Sequence, residues 1–464
     1  MDERLRKLSY VFKPRSIAIV GGSSVPNKIG TVLMKNLIEG RFMGDIYAVN
    51  PKYTEVLGKP CYPKVSAIPK AVDCVIIATP AETVPDVVED CGAKGVKGII
   101  VLSGGFEEVA RNDLADRIIA SSKKYKLPII GPNCLGVFDP YTRVDSIFLP
   151  AYKLERPGPG NIAFITQSGA VGSTVLDLSA HYGMGISKFI SYGNGKVLNE
   201  CDMLEFLEKD KETEMIIMYL EGVKDGRRLL EWMKTVNPKK PIIAMKAGKF
   251  GKAMAAARSH TGNLAGNYMA YKAAFRQAKV TEADDLQDLF DFVKIFNQPL
   301  PKGNRVGVIT NGGGMGVLTA DAINAEGMEI ADFSEDSKAA LKKILPSYGN
   351  VGNPLDLVAD AGVEAYDKAI EVLMADSGVD SLAIVLLTQT PPIDERIIGV
   401  LTRASDDKRK AVVTISVGGT YTEAYQRALE SKGVPSYNSP VSAIKALHML
   451  TNYSAWKGKI AKKA

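Results

Sequence analysis

A chain of 464 residues is longer than one hydrophobic core sustains, and its length predicts roughly three domains. Its 58 Lys and Arg against 52 Asp and Glu leave a net charge of +6, too mild for a nucleic-acid-binding face, with Lys457–Lys463 the one dense basic cluster. Five scattered cysteines with no CxxC pair, no apolar run of about 18 residues and no apolar leader after Met1 predict a protein of the reducing cytoplasm, without a disulfide framework, zinc site or membrane span.

Short β-branched runs alternate with helical patterns along the whole chain, the signature of parallel sheets built from βαβ units. The first set of strands is expected at residues 16–20, 45–49, 74–78, 98–102 and 128–130. A second set, at 161–165, 188–190, 215–219 and 242–245, follows Arg156-Pro157-Gly158-Pro159-Gly160, which reads as a linker. The third, at 305–309, 381–386 and 411–415, follows Pro299-Leu300-Pro301-Lys302-Gly303. These breaks predict three doubly wound α/β domains of the Rossmann or flavodoxin-like kind, at residues 1–150, 151–300 and 301–464.

Each domain opens with the same device, a first strand that ends in a small-residue turn and starts a helix. The turns are Gly21-Gly22-Ser23-Ser24, then Gln167-Ser168-Gly169-Ala170, then Asn311-Gly312-Gly313-Gly314. Small residues let a ligand approach the backbone, and free N–H groups at a helix start attract anions. The first turn, running on through Asn27, Lys28 and Gly30, is not GxGxxG, and the second strand ends in Asn50-Pro51-Lys52 where a nicotinamide site would carry an acid. Cations there suit a ribose phosphate and a diphosphate, so NADP and coenzyme A both fit. Further turns at strand ends are Thr79-Pro80, Ser103-Gly104-Gly105 and the run from Gly131 through Asn133 to Gly136.

Among the three histidines, His181 reads as the end of a helix and His448 as a packed helix residue. His260, in Ser259-His260-Thr261-Gly262, sits in a run that no buried helix or strand would choose, and is the candidate for chemistry.

The order of the first-domain turns resembles the coenzyme A-binding domain of succinyl-CoA synthetase α subunits, most specifically in Gly131-Pro132-Asn133-Cys134-Leu135-Gly136. Gln167-Ser168-Gly169 is similar to that family's phosphate-binding turn, Ser259-His260-Thr261-Gly262 to its phosphohistidine segment, and Met218-Tyr219-Leu220-Glu221-Gly222 to the strand end whose glutamate holds the imidazole. Thr310-Asn311-Gly312-Gly313-Gly314 and Asn353-Pro354-Leu355-Asp356-Leu357 resemble instead the ligase domain of that enzyme's β subunit. This arrangement resembles the α subunit of ADP-forming acetyl-CoA synthetases.

The resemblance implies the reaction acyl-CoA, phosphate and ADP to carboxylic acid, CoA and ATP, through an acyl phosphate and a phosphohistidine. It implies CoA or acetyl-CoA on Gly22, Ser23, Ser24, Asn27, Lys28, Gly30, Asn50, Pro51, Lys52, Thr79, Pro80, Ser103, Gly104, Gly105 and Asn133. Phosphate is expected on Gln167, Ser168, Gly169, Ala170, Asn311, Gly312, Gly313 and Gly314, between the second and third domains, with His260 and Glu221 catalytic. A neutral imidazole is a good nucleophile towards phosphorus, and a carboxylate on its far N–H would orient it. No GxxxxGK[ST] loop, ATP-grasp pattern or acidic Mg²⁺ cage is apparent. A partner β subunit with ATP-grasp domains is therefore expected to hold Mg-ADP or Mg-ATP, in an α2β2 assembly, with no metal, nucleic acid or membrane on this chain. A non-catalytic CoA-binding regulatory module and an NADP oxidoreductase are the competing readings.

Overall fold

The computed structural model describes residues 3–251, 267–347 and 349–461. The first sheet contains β1 (Ser16–Val20), β2 (Asp45–Val49), β3 (Glu55–Val56), β4 (Lys59–Tyr62), β5 (Cys74–Ile77), β6 (Gly98–Val101) and β7 (Ile129–Ile130). Their order is β3-β4-β2-β1-β5-β6-β7, parallel except between β3 and β4. Every residue of β1, β5 and β6 is buried, as strands covered by helices on both faces require.

The second sheet holds β8 (Gly136–Asp139), β9 (Val144–Asp145), β10 (Pro159–Thr166), β11 (Ile186–Ser191), β12 (Met215–Leu220), β13 (Ile242–Lys246) and β14 (Thr281–Ala283), in the order β14-β13-β12-β10-β11-β8-β9. Its antiparallel hairpin, β8 and β9, lies before the Pro/Gly stretch read as a linker, and that stretch runs into β10 itself. The reason is close backbone approach: a Cβ on Gly160 would stand 2.3 Å from Gly185, so glycine there serves packing rather than flexibility.

The third sheet, β15 (Arg305–Thr310), β16 (Glu329–Ile330), β17 (Leu355–Asp356), β18 (Ser381–Val385), β19 (Ala411–Ile415) and β20 (Ser436–Tyr437), runs β16-β15-β18-β19-β20 with β17 also on β15. All its pairs are parallel.

The chain divides into two compact units, Met1–Glu282, which holds the first two sheets to within one residue, and Ala283–Ala464, which holds the third. One apolar core in the first unit runs from Leu5 and Phe12 through Ile19 and Ile165 to Phe275. A separate core in the second gathers Ile309, Tyr366, Leu382 and Leu401. No helix among the described residues is long and apolar enough to cross a membrane.

In each sheet the opening strand has its successors on both sides: β1 between β2 and β5, β10 between β11 and β12, and β15 between β16 and β18. Such reversals open a crevice at the carboxyl ends of the strands, and all three small-residue turns lie there.

Candidate active site

The turn after β10 is fixed by its own side chains. Thr166 Oγ1 accepts from the Ser168 N–H at 3.0 Å and donates to the Ser168 carbonyl at 2.9 Å. Ser168 then caps the helix Gly169–His181 by accepting from Val171 N–H at 3.3 Å. The N–H groups of Gly169 and exposed Ala170 begin that helix, where no intrahelical carbonyl reaches them. Gln167, expected at the anion, also holds the neighbouring turn. Its buried amide oxygen accepts from the N–H groups of Glu221 and Gly222, the latter at 2.9 Å, and its amide nitrogen donates to the Gly222 carbonyl at 2.7 Å. Gln167 thus clamps the turn bearing Glu221 against the phosphate turn.

The third sheet repeats the construction. Thr310 Oγ1 accepts from Gly312 N–H and donates to the Gly312 carbonyl, both at 3.0 Å. Asn311 accepts from Leu387 N–H at 2.9 Å and donates to the Leu387 carbonyl at 3.2 Å, clamping the segment after β18. The helix Gly313–Ala325 starts with exposed Gly313 and Gly314 and no side-chain cap, leaving its first-turn amides available to an anion.

Glu221 follows β12 and is buried, its carbonyl accepting from Lys246 Nζ at 2.9 Å. Burial, and after it the neighbouring Glu221 carboxylate, pushes the Tyr219 phenol up to about 12. Burial also holds the Lys246 ammonium below its usual value, against the pull of Glu221. His260 lies outside the described residues. His181 ends its helix edge-to-face on Tyr182, and His448 makes a 2.7 Å hydrogen bond to Asn452 one turn on.

In the first sheet the Gly21 turn meets the end of β5: Ala78 N–H donates to the Val20 carbonyl at 2.9 Å, and a Cβ on Gly21 would stand 2.8 Å from the Ala78 carbonyl oxygen. Asn50 ties β2 to this turn through a 2.9 Å bond to the Gly22 carbonyl and accepts from Lys52 N–H at 3.0 Å. Ser23 Oγ accepts from Val25 N–H at 3.0 Å, and Ser24, Asn27, Lys28, Pro51 and Lys52 are exposed around the crevice mouth. Ser103 Oγ donates to the Thr79 carbonyl at 2.6 Å, and Asn133 N–H to the Ser103 carbonyl at 2.9 Å. Gly105 N–H donates to Glu108.

A cavity of about 500 Å³ gathers Thr79, Pro80, Ser103, Gly104 and Asn133 from the first sheet with Gln167 and Gly169 from the second. Ile29, Leu102, Leu135 and Phe148 supply its apolar wall. Gly193 and Asn194, after β11, also line it; sequence reading passed over that Tyr192-Gly193-Asn194-Gly195 turn, although it carries the same small-residue signature at a strand end. Asn194 donates to Glu108 at 2.9 Å and accepts from Asn133 at 3.3 Å, joining the two sheets at the cavity floor.

Glu200 is the first residue of the helix Glu200–Lys209 and only 3% exposed. Burial pushes its carboxyl up to about 7, against a partial offset from hydrogen bonding that includes Tyr192. The ordinary value is 4.5, so between 4.5 and about 7 the folded chain alone holds the proton and stability falls as pH rises. Above 7 the full cost, about 3 kcal/mol, is present. Glu200→Gln protein is expected to unfold at higher denaturant than wild type at pH 8 but not at pH 4; equal midpoints at pH 8 would contradict it.

A coenzyme-type first sheet joined through one cavity to an anion-binding turn is the layout of an acid–thiol ligase. Family models match accordingly: a CoA binding domain over residues 15–140, a succinyl-CoA ligase like flavodoxin domain over 159–296 and a ligase-CoA domain over 306–457. The chain is 40% identical over 97% of its length to acetate–CoA ligase [ADP-forming] I of Archaeoglobus fulgidus, of whose length it spans 64%. It is 38% identical over 96% of its length, and 97% of the relative's, to the acetate–CoA ligase [ADP-forming] II subunit alpha of Pyrococcus furiosus. A structure of Ca. Korarchaeum cryptofilum dinucleotide forming acetyl-coenzyme A synthetase 1 in complex with phosphate and ADP superposes with a TM-score of 0.92 over 98% of both chains, at 33% identity. The chain belongs to the family of ADP-forming acetate–CoA ligases.

Proposed function

We propose that this chain, with domains at residues 1–150, 151–300 and 301–464, takes an acyl-CoA and inorganic phosphate, releases CoA, and carries the phosphoryl group on His260 to ADP held by a partner subunit. The observation that carries the reading is the single cavity in which the Thr79, Ser103 and Asn133 strand ends meet the Gln167–Gly169 turn. A thioester entering along the first sheet would present its carbonyl to a phosphate on the Gly169 and Ala170 amides.

A phosphate oxygen attacks the carbonyl, the C–S bond breaks, and CoA leaves as thiolate, giving the acyl phosphate. A His260 ring nitrogen then attacks phosphorus, and the carboxylate leaves. Glu221 accepts from the other ring N–H and stabilises the charge that develops. Finally ADP attacks the phosphohistidine, the N–P bond breaks, and ATP forms on a β subunit carrying ATP-grasp domains and Mg²⁺, in an α2β2 assembly. Lys28 and Lys52, exposed beside the first turn, suit the coenzyme's phosphates, and Gly313 and Gly314 offer a second set of amides to the travelling phosphoryl group. Acetate is the acid expected, as the relatives' names suggest. Five free, buried cysteines suit a reducing cytoplasm.

Incubated with acetyl-CoA and ³²P-phosphate, the chain is expected to take up acid-labile label, and to yield ATP from ADP only once the β subunit is added. CoA binding without label would leave a regulatory module instead.

A further inference from the structure

The second and third sheets share one plan, and setting them side by side isolates two charged residues. Thr166 pairs Tyr219 across β10 and β12, as Thr310 pairs Val385 across β15 and β18. Counting on from those pairs, Gln167 and Asn311 are matching clamps, and Glu221 and Leu387, whose N–H groups they accept, are matching positions. One strand further, Leu220 pairs Lys246, while Ser416 follows Ile415, the partner of Val385. Lys246 and Ser416 therefore match as well. The third sheet is built and clamped with neither an acid nor a cation at these places, so the fold itself requires neither Glu221 nor Lys246.

Lys246 is only 2% exposed, and burying an ammonium is costly unless its donors find partners. Its Nζ donates to the Glu221 carbonyl at 2.9 Å and to the Ala247 carbonyl, and stands 4.9 Å from the centre of the Tyr271 ring. Tyr271, on the helix Tyr268–Ala278, accepts at its hydroxyl from Val223 N–H at 2.9 Å, and Ala247 N–H donates to the Leu220 carbonyl at 2.9 Å. In sequence, Ala247 and Tyr271 stand on either side of the segment that carries His260. One buried cation thus joins the Glu221 turn to the chain before that segment and to the helix after it.

We propose that Lys246 is a positioning residue for phosphoryl transfer, acting through Glu221 by fixing that residue's main chain to the stretches flanking the His260 segment. The inference rests on the reading of His260 as phosphoryl carrier. A charge-assisted bond from a buried ammonium holds the Glu221 carbonyl more firmly than a neutral donor would. A catalytic group displaced by about 1 Å can lose about a hundredfold in rate, so loss of this tie should slow the transfer step and leave coenzyme binding alone.

The test is a double-mutant cycle on the rate of ³²P-phosphoenzyme formation from acetyl-CoA and labelled phosphate. Lys246→Met, which keeps the length of the side chain and removes its charge, is expected to slow labelling about tenfold or more, with the KM for acetyl-CoA unchanged. In Glu221→Gln protein the same change is expected to cost less than about twofold, because the residue it positions is already lost. A side chain that only stabilised the fold would cost the same in both backgrounds. Tyr271→Phe, which removes the acceptor of Val223 N–H and leaves the ring beneath the ammonium, is expected to slow labelling about threefold in wild type and not further in Glu221→Gln. It decides the matter if Lys246→Met protein does not fold. Variants that label at the wild-type rate, or losses that simply add to that of Glu221→Gln, would overturn the proposal. His260→Ala separates the two layers: label absent there while Lys246→Met matches wild type defeats this inference alone, whereas label persisting there defeats the reading beneath it.

Discussion

Glu221→Gln protein is expected to form phosphoenzyme from acetyl-CoA and phosphate at about one-hundredth of the wild-type rate or less. The size follows from chemistry. A carboxylate can only accept the far imidazole N–H and stabilise the positive ring, whereas an amide is neutral and can present its NH₂ to the wrong tautomer. The fold should survive, because Gln167 grips this turn through the main-chain N–H groups of Glu221 and Gly222 and through the Gly222 carbonyl. Lys246 likewise binds the Glu221 carbonyl. Rapid-quench labelling, alongside a denaturation curve and the KM for acetyl-CoA, checks it. Wild-type labelling rates would remove Glu221 from the chemistry; a collapsed denaturation midpoint would reassign it to structure.

Gly30→Ala should be the most damaging single-methyl change in the first domain. A Cβ there would stand 1.9 Å from the Gly21 carbonyl oxygen and 3.1 Å from the Gly22 Cα, all main-chain atoms that no rotamer change can move. The helix Ile29–Glu39 would have to lift from the turn that it starts, costing about 3 kcal/mol or more and opening the CoA crevice. Urea denaturation and equilibrium CoA binding should show a lower midpoint and at least about tenfold weaker affinity. Gly158→Ala, whose Cβ would meet nothing within 4 Å, is the control expected to behave as wild type. Equal behaviour of the two variants would dismiss the close-approach argument.

The central strands were legible because a strand buried on both faces must be an unbroken apolar run, as in Ser16–Val20 and Met215–Leu220. The edges were not. The β8 and β9 hairpin begins at Gly136, whose φ of +117° and lack of room for a Cβ, which would stand 2.4 Å from the Ser146 carbonyl oxygen, require glycine, and β8 joins the sheet through β11, a strand distant in sequence that leaves no local periodicity. The small-residue turns announced where ligands would approach, since Gly and Ser at strand ends have few other reasons to recur. They did not announce which atoms were already committed: Gln167 and Asn311 read as ligand contacts, yet each holds a neighbouring strand end. Glu200 was hidden for another reason. Asn199 and Asp202 form a capping box, and an acid at a helix start ordinarily sits in water beside a favourable dipole. Only the tertiary structure around it, which leaves it 3% exposed, makes this one a buried acid.

The proposed mechanism requires that this chain carry phosphate on His260. Wild-type and His260→Ala proteins, each incubated with acetyl-CoA and ³²P-phosphate, quenched at alkaline pH and mapped by peptide mass spectrometry, decide it. The expected result is an acid-labile phosphate on the peptide containing His260 in wild type and none in His260→Ala protein. Label that persists unchanged without the histidine would contradict His260 as the phosphoryl carrier.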